Sequence, residues 1–109
     1  MLGTKIVLNE EKILREEKYD IVELYDLIDN FAENLGFTKD GQFTYIARDD
    51  KYALANMGKF CHSGLMKCDW FIDNVLEWIW LDDEDGNTDL MKRIASNPNV
   101  SKKGLSANA

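Results

Sequence analysis

The chain has 109 residues, of which 45% are hydrophobic and 11% aromatic, and it carries a formal net charge of −7. That fits one globular domain able to bury its own core, and it excludes a disordered chain. The charge argues against direct binding to nucleic acid or anionic lipid, both of which need a basic footprint, and it permits a basic protein partner.

The first nine residues lack the regions of a signal peptide, and no apolar run reaches membrane-spanning length. Two cysteines are too few for a disulfide scaffold in a chain of this length. The expectation is a cytoplasmic protein with free thiols, no membrane contact and no cofactor.

Two short apolar runs, 5–8 and 13–15, flank Asn9-Glu10-Glu11-Lys12 and read as a hairpin. The competing reading is a helix capped by Asn9. Asp20 opens the clearest helix, with Glu23 three residues on and Tyr19 placed to pack against Leu24, a capping box with a hydrophobic staple. Ile21, Leu24, Tyr25, Leu27, Ile28, Phe31, Ala32 and Leu35 fill one stripe, and Gly36 ends the helix. Alternation of Phe43, Tyr45 and Ala47 with Thr44, Ile46 and Arg48 predicts a strand after a Lys39-Asp40-Gly41 turn. Asp49 or Asp50 then caps a helix over 51–56, which Gly58 weakens or ends.

Residues 69–81 hold all three tryptophans, and their length without Gly or Pro favours a helix over a strand. On that helix Ile72, Val75, Leu76 and Ile79 share one side, while Asp69, Asp73 and Glu77 form a row at i, i+4 and i+8. Trp70 and Trp80 fall on or beside this row. Like charges at that spacing disfavour an isolated helix, so tertiary packing must hold it. A polar connector follows at 82–87, then a short helix capped by Thr88 with Leu90, Met91 and Ile94 inward, ended by Asn97-Pro98. The domain is expected to span 1–96, with a disordered tail over 97–109.

Charge is blocked: residues 19–35 hold five acids and no bases, and 69–89 hold eight acids and no bases, whereas 37–68 are mildly basic. Motifs for chemistry are absent. With Gly86 as the loop glycine of a calcium-binding hand, Asp83, Asp85, Asn87 and Asp89 fit ligand positions, but Leu81 and Lys92 occupy the two ends. Cys61, His62 and Cys68 lack the paired spacing of a zinc site, and no residue is marked to orient a Cys–His nucleophile. No glycine-rich phosphate loop is present.

The expected fold is α+β, a small antiparallel sheet of two or three strands with amphipathic helices mainly on one face; a mostly helical fold with one hairpin is the alternative. The expected function is a non-enzymatic interaction protein of inhibitor, immunity or regulatory type. It would hold a basic protein through acidic and aromatic helix faces: Trp70, Asp73, Glu77 and Trp80, with Asp26, Asp29 and Glu33 as a second patch. The alternatives are a small-molecule or metal-binding module and an enzyme built on a Cys/His/carboxylate site.

Overall fold

The computed structural model describes residues 1–96, so the tail expected over 97–109 and the stop at Asn97-Pro98 lie outside the described residues. The fold is α+β, with an antiparallel sheet of five strands in the order β2-β3-β1-β4-β5, where two or three were expected. Two of the strands, β2 (Thr38–Asp40) and β5 (Thr88–Asp89), have three and two residues, too few to leave a period in the sequence.

The central strand is β1 (Leu2–Leu8), whose Thr4, Ile6 and Leu8 point into the core. The hairpin expected at 5–8 and 13–15 is not formed. Ile13 instead anchors α1 (Glu10–Glu16), and Asn9 caps it, its Oδ1 accepting the Lys12 N–H at 3.1 Å. Acids in the first turn and Arg15 in the last suit the helix dipole, which favours the helical alternative.

The helix α2 (Ile21–Asn34) starts as expected, with Asp20 Oδ1 accepting the Glu23 N–H at 3.1 Å. Leu24, Ile28 and Ala32 are buried, whereas Leu27 is 51% exposed, contrary to its assignment to the core stripe. It stands about 100° from Ile28 around the axis, beyond the edge of the buried face. The chain leaves through Gly36 at φ 84°, a conformation that glycine adopts at no steric cost.

The single strand expected in 37–48 is a hairpin, β2 turning through Gly41 at φ 78° into β3 (Thr44–Ile46). Asp50, rather than Asp49, shapes the entry to α3 (Ala53–Met57): its Oδ1 accepts the Tyr52 N–H and its carbonyl the Ala53 N–H. Gly58 ends α3, but the chain continues as a π-helical turn (Gly58–His62), closed by Ser63 N–H donating to the Gly58 carbonyl. Gly64 is held by packing, since a Cβ there would lie 2.3 Å from the Phe31 ring and 2.6 Å from the Lys59 carbonyl oxygen.

The tryptophan stretch is where expectation and structure part most. Residues 69–81 are a single helical turn, α4 (Asp69–Ile72), followed by the strand β4 (Val75–Asp82). Asn74 marks the break: its Nδ2 donates to the Trp70 carbonyl at 2.7 Å, and its own carbonyl accepts the Asn9 N–H at 2.6 Å. β4 pairs along the whole of β1, with Thr4 opposite Trp80 and Ile6 opposite Trp78. Backbone hydrogen bonds to β1 and complete burial of Trp78 thus replace a helix that a row of carboxylates would have weakened. The last helix, α5 (Leu90–Ser96), buries Leu90 and Ile94 as expected, but Asp89 rather than Thr88 steadies its start by accepting the Met91 N–H.

The sheet buries its side chains on one face. Phe60 is the hub of the core beneath it, with ring centroids 4.9 Å from Phe37, 5.4 Å from Phe31 and 5.7 Å from Tyr45. Trp78 packs edge-on to Phe71 at 4.9 Å. On the opposite face the register sets Lys5, Val7, Ile46, Glu77, Ile79 and Leu81, all half-buried.

Candidate functional site

The conversion of 75–82 to strand separates the residues that a helix would have gathered. Glu77 lies on the outer face of the sheet and pairs with Lys5 at 3.2 Å. Trp80 points to the inner face, its ring stacked on His62 at 5.5 Å and 26°. Trp70 is half-buried, edge-on to Phe71 at 6.0 Å. Asp73 closes α4; its carbonyl accepts from Lys12 Nζ, and its buried Oδ1 meets no donor among the described residues. Glu77 and Trp80 thus face opposite sides of the sheet. Of the second patch, Asp26 and Glu33 are exposed on α2. Asp29 is tied into the fold, accepting from the Tyr45 hydroxyl and, at 3.1 and 3.2 Å, from Lys39 Nζ.

A different acidic surface lies at one end of the sheet. β3 and β4 both run antiparallel to β1, so the loops that follow them meet beside its first residues. Asp49, Asp50, Asp82, Glu84 and Asp85 line a groove of about 320 Å³ there, together with Lys51 and Leu54. Leu54 is 66% exposed and Tyr52 beside it 57%, with Lys51 Nζ 5.1 Å from the Tyr52 ring centroid. Two of the carboxylates are structural. Asp50 holds the turn into α3, and Asp82 Oδ1 accepts the N–H groups of Glu84 and Asp85. Those N–H donors, Asp85 first, hold the Asp82 carboxyl below its usual range. The Met1 amine is raised above its usual value chiefly by its 2.7 Å hydrogen bond to Asp83. In the sequence the acids of 82–87 stand only as a polar connector; their meeting with Asp49 and Asp50 depends on strand pairing across the chain.

A second concavity sits under the opposite edge of β4. His62 from the π-helical turn, Trp80 from β4, Thr88 from β5, and Leu90 and Arg93 from α5 surround about 240 Å³. Burial and, after it, the nearby Arg93 charge lower the His62 pKa. The neighbouring Cys61 faces away from reactivity: its thiol is buried and pushed up to about 12 by burial, against a weaker opposing hydrogen bond to Thr4. Cys68 is raised too, by burial and by Asp69, and its Sγ donates to the Gly64 carbonyl at 3.5 Å. Burial thus favours the protonated form of both thiols. Among the described residues no group of three His, Cys, Asp or Glu side chains is arranged to hold a metal ion. The 82–87 loop that resembled part of a calcium loop is a turn closed on itself by Asp82 and by Asn87, whose Oδ1 accepts the Asp82 N–H at 3.0 Å. Among the described residues no helix is long and apolar enough to cross a membrane. No protein-family model, curated protein or solved structure matches the chain.

Proposed function

We propose that the chain is a small non-enzymatic interaction protein that binds a basic protein partner, through the acidic end of its sheet rather than through helix faces. The observation that carries this reading is the placement of exposed Leu54 and Tyr52 beside a groove lined by five carboxylates against Lys51 and Met1, whose amine pairs with Asp83. An apolar anchor within a charged rim is the usual composition of a specific interface, and a field of one sign speeds encounter with an oppositely charged partner. Asp26 and Glu33, exposed on α2, add to that field without belonging to the groove. Trp70, Asp73, Glu77 and Trp80 lie outside the groove.

The test uses variants that spare the structural acids. Asp49→Lys with Glu84→Lys reverses two groove charges, while Asp50 and Asp82 continue to hold the loops. Immobilised wild type should retain a basic protein from the native host's nuclease-treated lysate at low salt and release it at high salt. The double variant, folded by circular dichroism, should bind that protein with an association rate lower by about tenfold or more. Equal binding by wild type and variant, or retention of nothing by the wild type, would refute this assignment of the groove.

A further inference from the structure

An antiparallel sheet that turns one face to water ordinarily carries polar side chains there. The outer face of this sheet does not follow that pattern. Val7 on β1, Ile46 on β3, and Ile79 and Leu81 on β4 share it, each half-buried. Beside them Leu76 is 58% exposed and borders, with Ile79 and Met91, a shallow recess of about 480 Å³ at the β5 edge. Two charges stand among these side chains, Lys5 and Glu77, paired at 3.2 Å. The centre of the face is therefore neutral in a chain of net charge −7. Strand register gives its residues a definite order. Lys5 lies opposite Ile79 and Val7 opposite Glu77, so the four form a rectangle with the apolar pair on one diagonal and the opposite charges on the other.

We propose that this face binds the same face of a second copy of the chain, about a two-fold axis along the Val7–Ile79 diagonal. A two-fold interface must be self-complementary, because each contact is made twice with the roles exchanged. Turning one copy over about that diagonal sets Val7 on Val7 and Ile79 on Ile79, and it sets Lys5 of each copy against Glu77 of the other. The rectangle measures about 4.8 Å across the strands and about 6.6 Å along them, so the diagonal is inclined roughly 36° to the strands. The two sheets then cross at about 70°, nearer the orthogonal than the aligned way of packing sheets. Size sets the strength. β1 spans about 23 Å and the five strands about 19 Å, which offers roughly 400 Å² per copy and about 800–900 Å² in all. That lies below the roughly 1,200 Å² at which stable interfaces begin, so the dimer is a weak one that forms as concentration rises. None of these residues belongs to the acidic groove, and the two surfaces can be tested independently.

Sedimentation velocity on the full chain, from about 10 μM to about 1 mM, should show the mass rising from one chain towards two. Lys5→Glu and Glu77→Lys each set like charges against one another across the axis, and each should weaken the dimer about tenfold or more. The double exchange, Lys5→Glu with Glu77→Lys, restores the opposition and should dimerise as the wild type does. The decisive arm mixes the two single variants, each checked for folding by circular dichroism. Every charge then meets its opposite in the other copy, so the mixture should form a heterodimer about tenfold tighter than either variant alone. A single-chain mass at every concentration, whether the face stays bare or takes a different protein, would overturn the proposal. So would a dimer indifferent to these exchanges, because Lys5 and Glu77 would then not face each other across the axis.

Discussion

The sequence places Asp29 with Asp26 and Glu33 in a second acidic patch for a basic partner, but the structure makes it part of the wall that holds α2 to the hairpin. Tyr45 is only 2% exposed, stands edge-on to Phe60, and donates its hydroxyl to Asp29 Oδ1. Lys39 reaches both carboxylate oxygens from β2. Asp29→Ala leaves the Tyr45 hydroxyl without its acceptor beneath a packed surface, at a cost of about 1–3 kcal/mol. The Lys39 pair adds little, about 0–1 kcal/mol, because both side chains are more than a third exposed. The expected loss is therefore about 1–4 kcal/mol for Asp29→Ala and about 1 kcal/mol or less for Asp29→Asn, whose amide oxygen still accepts. Urea unfolding followed by circular dichroism reads this as a lower midpoint at unchanged slope. In a double-mutant cycle with Tyr45→Phe, the two losses should fall short of additivity by about 1 kcal/mol or more, since both remove the same bond. A loss within about 0.5 kcal/mol for Asp29→Ala, or strict additivity, would refute the assignment and return Asp29 to the acidic patch with Asp26 and Glu33.

Neighbouring residues on the same helix give a second check. Ile28→Ala should cost about 2–5 kcal/mol, because Ile28 is wholly buried, and Leu27→Ala should stay within about 0.5 kcal/mol. Comparable losses at both would mean that the helix is rotated from its described setting. For the thiols, Cys61 should resist a thiol reagent in the native protein at about pH 8, while half-buried Cys68 reacts. Stability should also depend on alkaline pH. The Cys61 pKa is raised from its ordinary 9.0 to about 12, so its contribution is intact below pH 9 and is lost as pH climbs towards 12. Tyr45, raised above its ordinary 10.0 by burial and then by its bond to Asp29, extends the loss beyond pH 10. A urea midpoint that stays level from about pH 8 to 11 would contradict both shifts.

The parts of the fold that were legible rest on local chemistry. Asp20 with Glu23, and Asn9 with Lys12, announce their helices because a cap is one side-chain oxygen meeting an amide three residues ahead. Leu90 and Ile94 mark the buried side of α5 by spacing alone. β4 was not legible in this way. Its pairing shifts between Val7 and Leu8, so Leu76 is an extra residue bulging from the strand, and it is 58% exposed between buried Val75 and half-buried Glu77. That bulge breaks the alternation that would have identified a strand. What remains is an apolar spacing that a helix fits as well. The choice was made by β1, some seventy residues away, whose backbone groups pair with β4 from Leu2 to Leu8.

The same distant pairing explains why the sequence displays the acids but conceals their surface. In an antiparallel sheet with β1 between β3 and β4, both neighbours finish where β1 begins. Whatever follows them in the chain must therefore leave the sheet at one end, about two strand spacings apart, or roughly 10 Å. Asp49 and Asp50 follow β3, the acids of 83–85 follow Asp82 at the end of β4, and the two sets converge although more than thirty residues separate them. A helical 69–81 would have spread its carboxylates along a rod and left 82–87 an isolated connector. As a strand, the same residues surrender Glu77 to Lys5 and Trp80 to His62, and deliver the following acids to the loop that β3 also reaches. Strand order, more than charge count, thus decides where the acids of the two loops converge.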